Sequence, residues 1–149
     1  MIETVVIATD GSASVERAVT VAIDLADRFD AAVHALYVIE EGELASAPDQ
    51  LADDLRVALE EQGAAATHAV EAQTDRLVTT AVREGRPAQE IATYAREVDA
   101  DVVATGTRGR HGENRFLIGS VAERVVRTCP APVLTVRHLD EDELTTATG

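Results

Sequence analysis

The chain has 149 residues, of which 46% are hydrophobic, and its 27 acidic and 13 basic side chains give a net charge of −14. This length predicts one domain, and no apolar run approaches the roughly 20 residues that cross a bilayer. The acidic charge disfavours binding to nucleic acid or to an anionic membrane, since both need a basic face. The first residues lack the pattern of a signal peptide, and the single cysteine excludes an internal disulfide, so we expect a cytoplasmic domain.

The basic residues are all arginine, so the chain contains no lysine. The Walker A loop of P-loop NTPases needs a lysine at its phosphates, which excludes that class of protein. An acidic, lysine-free surface also resembles the surfaces of proteins from salt-loving organisms, where high ionic strength screens the repulsion between carboxylates. We expect a salt-loving source, a halophilic archaeon; the alternative is an ordinary solvated surface encoded by a GC-rich genome.

Strand and helix patterns alternate from the start of the chain. A β-branched run over 4–9 predicts a buried first strand. An apolar stripe over 15–29 predicts a first helix, for which Ser12 and Ser14 are the N-cap candidates. A second apolar run predicts a strand over 31–39.

The middle of the chain continues the alternation after a loop. One apolar face predicts a second helix, and we expect Gly63 to end it; that face consists of Leu51, Leu55, Ala58 and Leu59. A third strand is predicted over 77–85. Pro87 then opens a third helix, in a first-turn position where its missing N–H costs nothing. The residues that this helix is expected to bury are Ile91, Ala92, Ala95 and Val98.

The last third contains a fourth strand over 101–106, a long glycine-rich loop, and a helix that begins at Ser120. Pro130 ends that helix, and a fifth strand is predicted over 132–139. We expect the folded domain to span 1–139. The segment 140–149 is too polar to pack and is predicted to be an acidic, flexible tail.

This order of elements predicts an α/β fold with a doubly wound, five-stranded parallel sheet and helices on both faces. The expected arrangement is Rossmann-like, with strand order 3-2-1-4-5. Ligands of such sheets bind beyond the carboxyl ends of the strands, where the strand order reverses. If strands 1 and 4 are neighbours, Asp10 and the glycine-rich loop meet at that point.

The loop from Gly106 to Ser120 concentrates glycine and positive charge in an otherwise acidic chain. Its glycines are 106, 109, 112 and 119, and its basic residues are Arg108, Arg110, His111 and Arg115. Glycine lets backbone N–H groups approach a phosphate closely, and the start of a helix favours an anion. The alternative is a long turn. The hydroxyl of Ser120 either reaches the phosphate or only caps the helix.

The spacing Gly106-x2-Gly109-x9-Gly119-Ser120 resembles the ATP-binding signature of universal stress proteins. The stretches VVIATDGSASVERAV, ALYVIE and LIGSVAERVVRTCPAPVLTVR also resemble that family, so the likeness covers nearly the whole chain. It implies a stress-response module that binds ATP, ADP or AMP with Mg²⁺ or Mn²⁺ and acts as a nucleotide-dependent regulator, with at most slow hydrolysis. Between the glycines the family often has small, apolar residues, whereas this chain has the stretch 111–115, HGENR.

The resemblance also implies which residues form the nucleotide site. The residues expected around the adenosine are Ala8, Thr9, Asp10 and Val38, with the backbone of Val38 at the adenine. Those expected around the ribose and phosphates are Thr105, Gly106, Arg108, Gly109, Gly119, Ser120 and Val121. Asp10 is the metal candidate, since carboxylate oxygens suit a nucleotide-bound Mg²⁺. Its alternative role is to cap the turn into the first helix.

The histidines and the cysteine show no sign of a second site, and two other protein classes share this pattern of elements. The four histidines show no metal-ligand spacing, and a histidine inside a strand, such as His34, is predicted to be structural. Cys129 is expected to be a small buried residue. A phosphoacceptor receiver domain shares the alternation of strands and helices but needs a lysine near its end. A dimerisation module with a degenerate site is the remaining alternative.

The fifth strand is predicted to mediate dimerisation. It is apolar and lies at a sheet edge in the expected topology, where unpaired N–H and C=O groups invite another chain. The resemblance implies a homodimer through this strand, with Val133, Leu134 and Val136 at its interface. A two-fold dimer is also the commonest oligomer. The alternative is a monomer in which the tail from Asp140 folds back and covers this edge.

Overall fold

The computed structural model describes residues 1–107 and 118–139. Its strands are β1 (Thr4–Ala8), β2 (Ala32–Glu40), β3 (Val78–Gly85), β4 (Val102–Gly106) and β5 (Val133–Val136). Its helices are α1 (Glu16–Phe29), α2 (Glu41–Ala45), α3 (Asp49–Glu71), α4 (Pro87–Glu97) and α5 (Ser120–Thr128), and a 3₁₀ turn at Ala13–Val15 precedes α1. The expected tail at 140–149 lies outside the described residues. No helix in the described ranges is long and apolar enough to cross a membrane.

The five strands form one parallel sheet in the order β3-β2-β1-β4-β5, which confirms the predicted fold. The central strand β1 pairs with β2 on one side and β4 on the other, so that Val6 lies opposite both His34 and Val103. The strand order reverses between β1 and β4. Their carboxyl ends at Ala8 and Gly106 therefore flank the expected ligand crevice.

The helices cover both faces of the sheet. Helix α1 packs on the face that carries Val5, Ile7 and Val33, and α2 and α3 pack on the same face farther along β2, at Tyr37 and Ile39. The opposite face is covered by α4 and α5, which bury their own core cluster; its fully or largely buried members are Val6, Ala8, Leu36, Ile91, Tyr94, Ala95, Val103 and Val125. We call these two groups of helices the α1–α3 layer and the α4–α5 layer.

The prediction that Gly63 ends the second helix is wrong. Helix α3 continues through Gly63 to Glu71, because this glycine faces the sheet. A Cβ atom built on Gly63 would lie 2.8 Å from Tyr37 Cδ1 and 3.0 Å from Val82 Cγ2, so its absence lets the helix approach the sheet closely. The buried face agrees with the predicted one only in part: Leu59 is buried and Leu55 packs half-buried against the core, whereas Leu51 is 55% exposed and Ala58 is also exposed. The buried face consists of Leu59, Gly63, Ala66, Thr67 and Val70.

The N-cap expected for the first helix is also wrong. The chain enters α1 through the 3₁₀ turn, whose closing bond joins the Val15 N–H to the Ser12 carbonyl (3.2 Å). Val15 then occupies the N-cap of α1, and no side chain caps it. The loop expected after β2 contains the short helix α2.

The last elements differ from prediction only in detail. Helix α4 begins at Pro87 and buries Tyr94 together with most of the predicted residues, whereas Val98 lies beyond the helix end and is only half-buried. Strand β5 ends at Val136, before the predicted end at 139.

Candidate functional site

A cleft of about 380 Å³ lies beyond the carboxyl ends of β1 and β4. It is lined by residues from β1 and the turn that follows it, from β2 and β4, and from α2, α4 and the first turn of α5. These residues are Ala8, Thr9, Asp10, Val15, Leu36, Val38, Glu40, Glu43, Pro87, Ile91, Thr105, Gly106, Gly119, Ser120, Val121 and Ala122. Its volume falls within the range of small-molecule sites, roughly 300–1,000 Å³.

The structure brings the described members of the predicted site to this one cleft. They are Ala8, Thr9, Asp10, Val38, Thr105, Gly106, Gly119, Ser120 and Val121. Two further predicted members, Arg108 and Gly109, lie outside the described residues, as does the rest of the loop up to residue 117.

The turn after β1 is held by its own side chains. Asp10 Oδ1 accepts hydrogen bonds from the Ser12 backbone N–H (2.9 Å) and the Ser12 hydroxyl (2.6 Å). The Gly11 N–H donates to Thr9 Oγ1 at 3.1 Å. Gly11 has a φ of +77°, and a Cβ there would lie 3.2 Å from Ala66 Cβ, so the turn requires glycine. One oxygen of Asp10 therefore serves the turn, and the other, Oδ2, accepts no hydrogen bond from the part of the chain that the structure describes.

The start of α5 presents backbone donors to the same cleft. Gly119 is the N-cap, with extended backbone angles and no side-chain cap. The first helical bond runs from the Glu123 N–H to the Gly119 carbonyl (3.0 Å), so the preceding amides have no acceptor within the helix. Ser120 occupies the first helical position and does not cap the helix. Unpaired amides and the helix dipole both favour an anion here.

The remaining walls of the cleft were missed by sequence reasoning. Leu36 of β2 and Pro87 and Ile91 of α4 form an apolar side. Glu40 and Glu43 add carboxylates to the lining. The proline at the start of α4 and the acidic residues at and after the end of β2 can be seen in the sequence, but nothing in their spacing indicates that these distant segments meet.

His34 and Cys129, which were predicted to be structural, contact the core of the domain rather than the cleft. His34 Nδ1 lies 2.8 Å from the hydroxyl of Tyr94, and burial lowers the pKa of His34 below its ordinary value. The guanidinium of Arg83 sits 4.9 Å from the centre of the Tyr94 ring. Cys129 is half-buried beside the α4–α5 core cluster. Across residues 1–107 and 118–139, no three His, Cys, Asp or Glu side chains converge as a set of metal ligands.

Comparison with known proteins gives one consistent result. The model of the universal stress protein family matches residues 1–137. A universal stress protein of Methanocaldococcus jannaschii is 37% identical over 137 residues, which cover 89% of this chain and 81% of the relative. The structure of the universal stress protein UspA from Lactobacillus plantarum superposes with a TM-score of 0.76 at 27% identity, covering 91% of this chain and 98% of the other. A universal stress protein solved in complex with cAMP has a TM-score of 0.68 at 25% identity, covering 93% and 98% of the two chains.

Proposed function

The chain belongs to the universal stress protein family, and we propose that its cleft binds an adenine nucleotide and so makes the protein a nucleotide-dependent regulator in a stress response. The observation that carries the proposal is the meeting of three elements at one cleft: the turn after β1, the end of β4 and the first turn of α5. A related protein in complex with cAMP supports the choice of an adenine nucleotide.

Each part of the cleft suits one part of the nucleotide. The apolar side formed by Leu36 and Ile91 would take the flat face of the adenine, and the backbone of Val38 would read its edge. The backbone N–H groups of Ser120 and Val121, which have no acceptor within α5, would donate hydrogen bonds to the phosphate oxygens, and the Ser120 hydroxyl would be an additional donor. We assign no catalytic residue, and any hydrolysis is expected to be slow.

The cleft also suits a divalent cation that arrives with the nucleotide. Asp10, Glu40 and Glu43 place three carboxylates on its lining, and these would repel bare phosphates. Mg²⁺ or Mn²⁺ bound to the phosphates would offset that repulsion, and Asp10 would face the cation directly or through a water molecule. We propose no role for the cation beyond neutralising and orienting the phosphates.

A thermal-shift series tests nucleotide binding. ATP, ADP, AMP and cAMP are added to the full chain with Mg²⁺, and GTP serves as the control for the base. A ligand that binds only the folded state at about 100 times its Kd adds about 2.7 kcal/mol of stability, which raises the melting temperature by several degrees. If no adenine nucleotide raises it, the protein is a structural module with a degenerate site.

We also propose that β5 pairs with β5 of a second copy, and two observations support this homodimer. Within the described residues, β5 pairs only with β4, so its other edge has no strand partner. Val103 pairs with Val133, and the Val103 N–H donates to the Pro132 carbonyl. This register directs the backbone N–H and C=O groups of Leu134 and Val136 toward β4, and those of Val133 and Thr135 outward.

Sedimentation of a Thr135→Pro variant tests this interface. Proline at 135 removes an outward N–H but no bond to β4, so the variant should fold and sediment as a monomer, whereas the wild type sediments as a dimer. Replacing Val136 is a poor test, because its backbone bonds β4 and its side chain is buried. A wild-type monomer, or a Thr135→Pro variant that still dimerises, contradicts the proposed interface.

A further inference from the structure

A second and larger cavity adjoins the cleft. It is a groove of about 710 Å³ between α4 and α5. Glu40, Pro87, Ser120 and Val121 line both cavities, so the groove begins where the cleft ends, at the first turn of α5. We call it the interhelical groove.

The charges of the interhelical groove change along its length. At its upper end, beside the cleft, lie Glu40 and Glu41, and Glu41 is paired with Arg86 (Oε1 to Nε, 3.3 Å). Farther along the helices lie Arg96 and Arg124, and neither of their side chains forms an ion pair or hydrogen bond with another described residue. The groove therefore holds two guanidinium groups without a partner among the described residues, in a chain whose net charge is −14.

The positions of these arginines follow from helix geometry. Arg124 lies one turn after Ser120, about 6 Å along the axis of α5, and Arg96 lies nine residues after Pro87, about 13 Å along α4. An anionic chain that leaves the cleft at Ser120 and enters the groove therefore meets Arg124 first and Arg96 second. Guanidinium groups bind phosphate through paired, charge-assisted hydrogen bonds.

We propose that the interhelical groove binds the distal phosphates and the second nucleoside of a dinucleoside polyphosphate, a ligand whose first adenosine occupies the cleft. The groove is nearly twice as large as the cleft, 710 against 380 Å³, so it has room for a second nucleoside. Ala92 and Val121 supply apolar surface, and Gln89 and Thr93 supply hydrogen-bonding groups. This inference rests on the proposed nucleotide function and specifies the ligand class of the same site.

Calorimetric titration with ATP and with diadenosine tetraphosphate, at one fixed ionic strength, tests the inference. The wild type should bind the longer nucleotide about tenfold more tightly than ATP. Arg124→Gln and Arg96→Gln should each reduce that preference to about threefold or less, while their affinity for ATP stays within about twofold of the wild type. Arg127→Gln is the matched control, because Arg127 is on α5 but is paired with Glu123 (2.7 Å) and does not line the groove.

The possible failures are distinguishable. If the wild type binds both ligands with equal affinity, the proposed role of the groove is overturned, but the proposed nucleotide site in the cleft stands. A preference that survives both arginine substitutions, or a loss of ATP and tetraphosphate affinity to the same extent, also overturns it. If neither nucleotide binds, the proposed nucleotide function and this inference fail together.

Discussion

The two helical layers of this protein differ in how completely they cover the sheet. The α1–α3 layer meets the sheet closely: Ala18, Ala22 and Ala26 of α1 are fully buried, and Gly63 brings α3 within contact of Tyr37 and Val82. The α4–α5 layer is more open. Helix α5 buries only Ala122 and Val125, and both the cleft and the interhelical groove lie on this side.

The difference separates stability from ligand binding. A layer that packs against the sheet through small side chains leaves no space for a ligand, whereas a short helix that buries one narrow face leaves its first turn and flanks accessible. A substitution in the α1–α3 layer should therefore affect unfolding with little effect on binding. A substitution at the start of α5 should do the opposite.

The largest expected effect is on the open side. Gly119 has ordinary extended backbone angles, φ −69° and ψ 158°, so Gly119→Val adds side-chain volume without backbone strain. The added side chain would occupy space that a phosphate needs, and ATP affinity should fall at least thirtyfold, about 2 kcal/mol. Titration measures the affinity, and circular dichroism should show an unchanged fold. Affinity retained within about threefold would remove Gly119 from the site.

The second effect is on the closed side. Gly63→Ala should destabilise the protein by about 1–3 kcal/mol through overpacking, even though alanine favours a helix over glycine by up to about 1 kcal/mol. The matched control is Gly42→Ala in α2, where the nearest atom to an added Cβ is Glu40 Oε1 at 3.9 Å. Urea unfolding compares the two variants, and ATP affinity should not change in Gly63→Ala. Equal stability of the two variants would mean that α3 can move away from the sheet at no cost.

Salt tests a property that both layers share. Net charge of −14 should destabilise the folded state by self-repulsion in dilute buffer. The Debye length falls from about 10 Å at 0.1 M to about 3 Å at 1 M salt, so the melting temperature should rise by several degrees over that range in KCl. The loss of stability in Gly63→Ala relative to the wild type should stay constant over this range, because packing does not depend on screened charge. A melting temperature that does not change with KCl concentration would mean that the acidic surface is no adaptation to salt.

The sequence was sufficient for the architecture because that information is local. Continuous apolar runs such as 4–8 indicate a strand buried on both faces, and their alternation with helices fixes the parallel topology. The turn at Asp10 and the Gly119-Ser120 helix start were also recognisable, because each is a local motif at an element boundary.

The sequence failed where tertiary contacts decide the outcome. Gly63 looks like a helix end, and only the proximity of Tyr37 and Val82 explains a glycine inside α3. Ile91 looks like an ordinary core residue of α4, yet it also lines the cleft. No local pattern shows that Arg96 and Arg124, on different helices, face one groove.

A smaller effect is expected at the opposite end of the sheet, where Asp101, just before β4, contacts the start of β1. The backbone N–H groups of Glu3 and Thr4 donate to Asp101 Oδ2 at 2.7 and 2.9 Å, and these bonds lower the pKa of the Asp101 carboxyl. Because the folded-state pKa of Asp101 is lower than its unfolded-state pKa, the ionised carboxylate contributes its full stabilisation above the unfolded-state pKa, about 3.9. That contribution is lost as the pH falls through the folded-state pKa.

Asp101→Ala should accordingly lower the melting temperature by a few degrees at pH 7, and the difference from the wild type should shrink below about pH 4. Asp54→Ala is the control, since Asp54 is exposed on α3. ATP affinity should be unchanged in both variants. A difference that persists at pH 3 would assign the effect to something other than the ionised carboxylate.

The smallest effect is expected at Asp10, where the turn and the proposed cation compete for one side chain. Asp10→Asn keeps an oxygen that can accept the Ser12 N–H but loses the charge, whereas Asp10→Ala loses both. Asp10→Ala should therefore cost about 1 kcal/mol of stability, as loss of a capping side chain does, and Asp10→Asn only a few tenths. If Asp10 also faces a nucleotide-bound cation, both variants should lose the gain in ATP affinity that Mg²⁺ gives the wild type, relative to EDTA. Titrations with and without Mg²⁺ therefore separate the two roles. Should Asp10→Asn keep the full effect of Mg²⁺, Asp10 belongs to the turn alone, and the cation is held by the nucleotide without it.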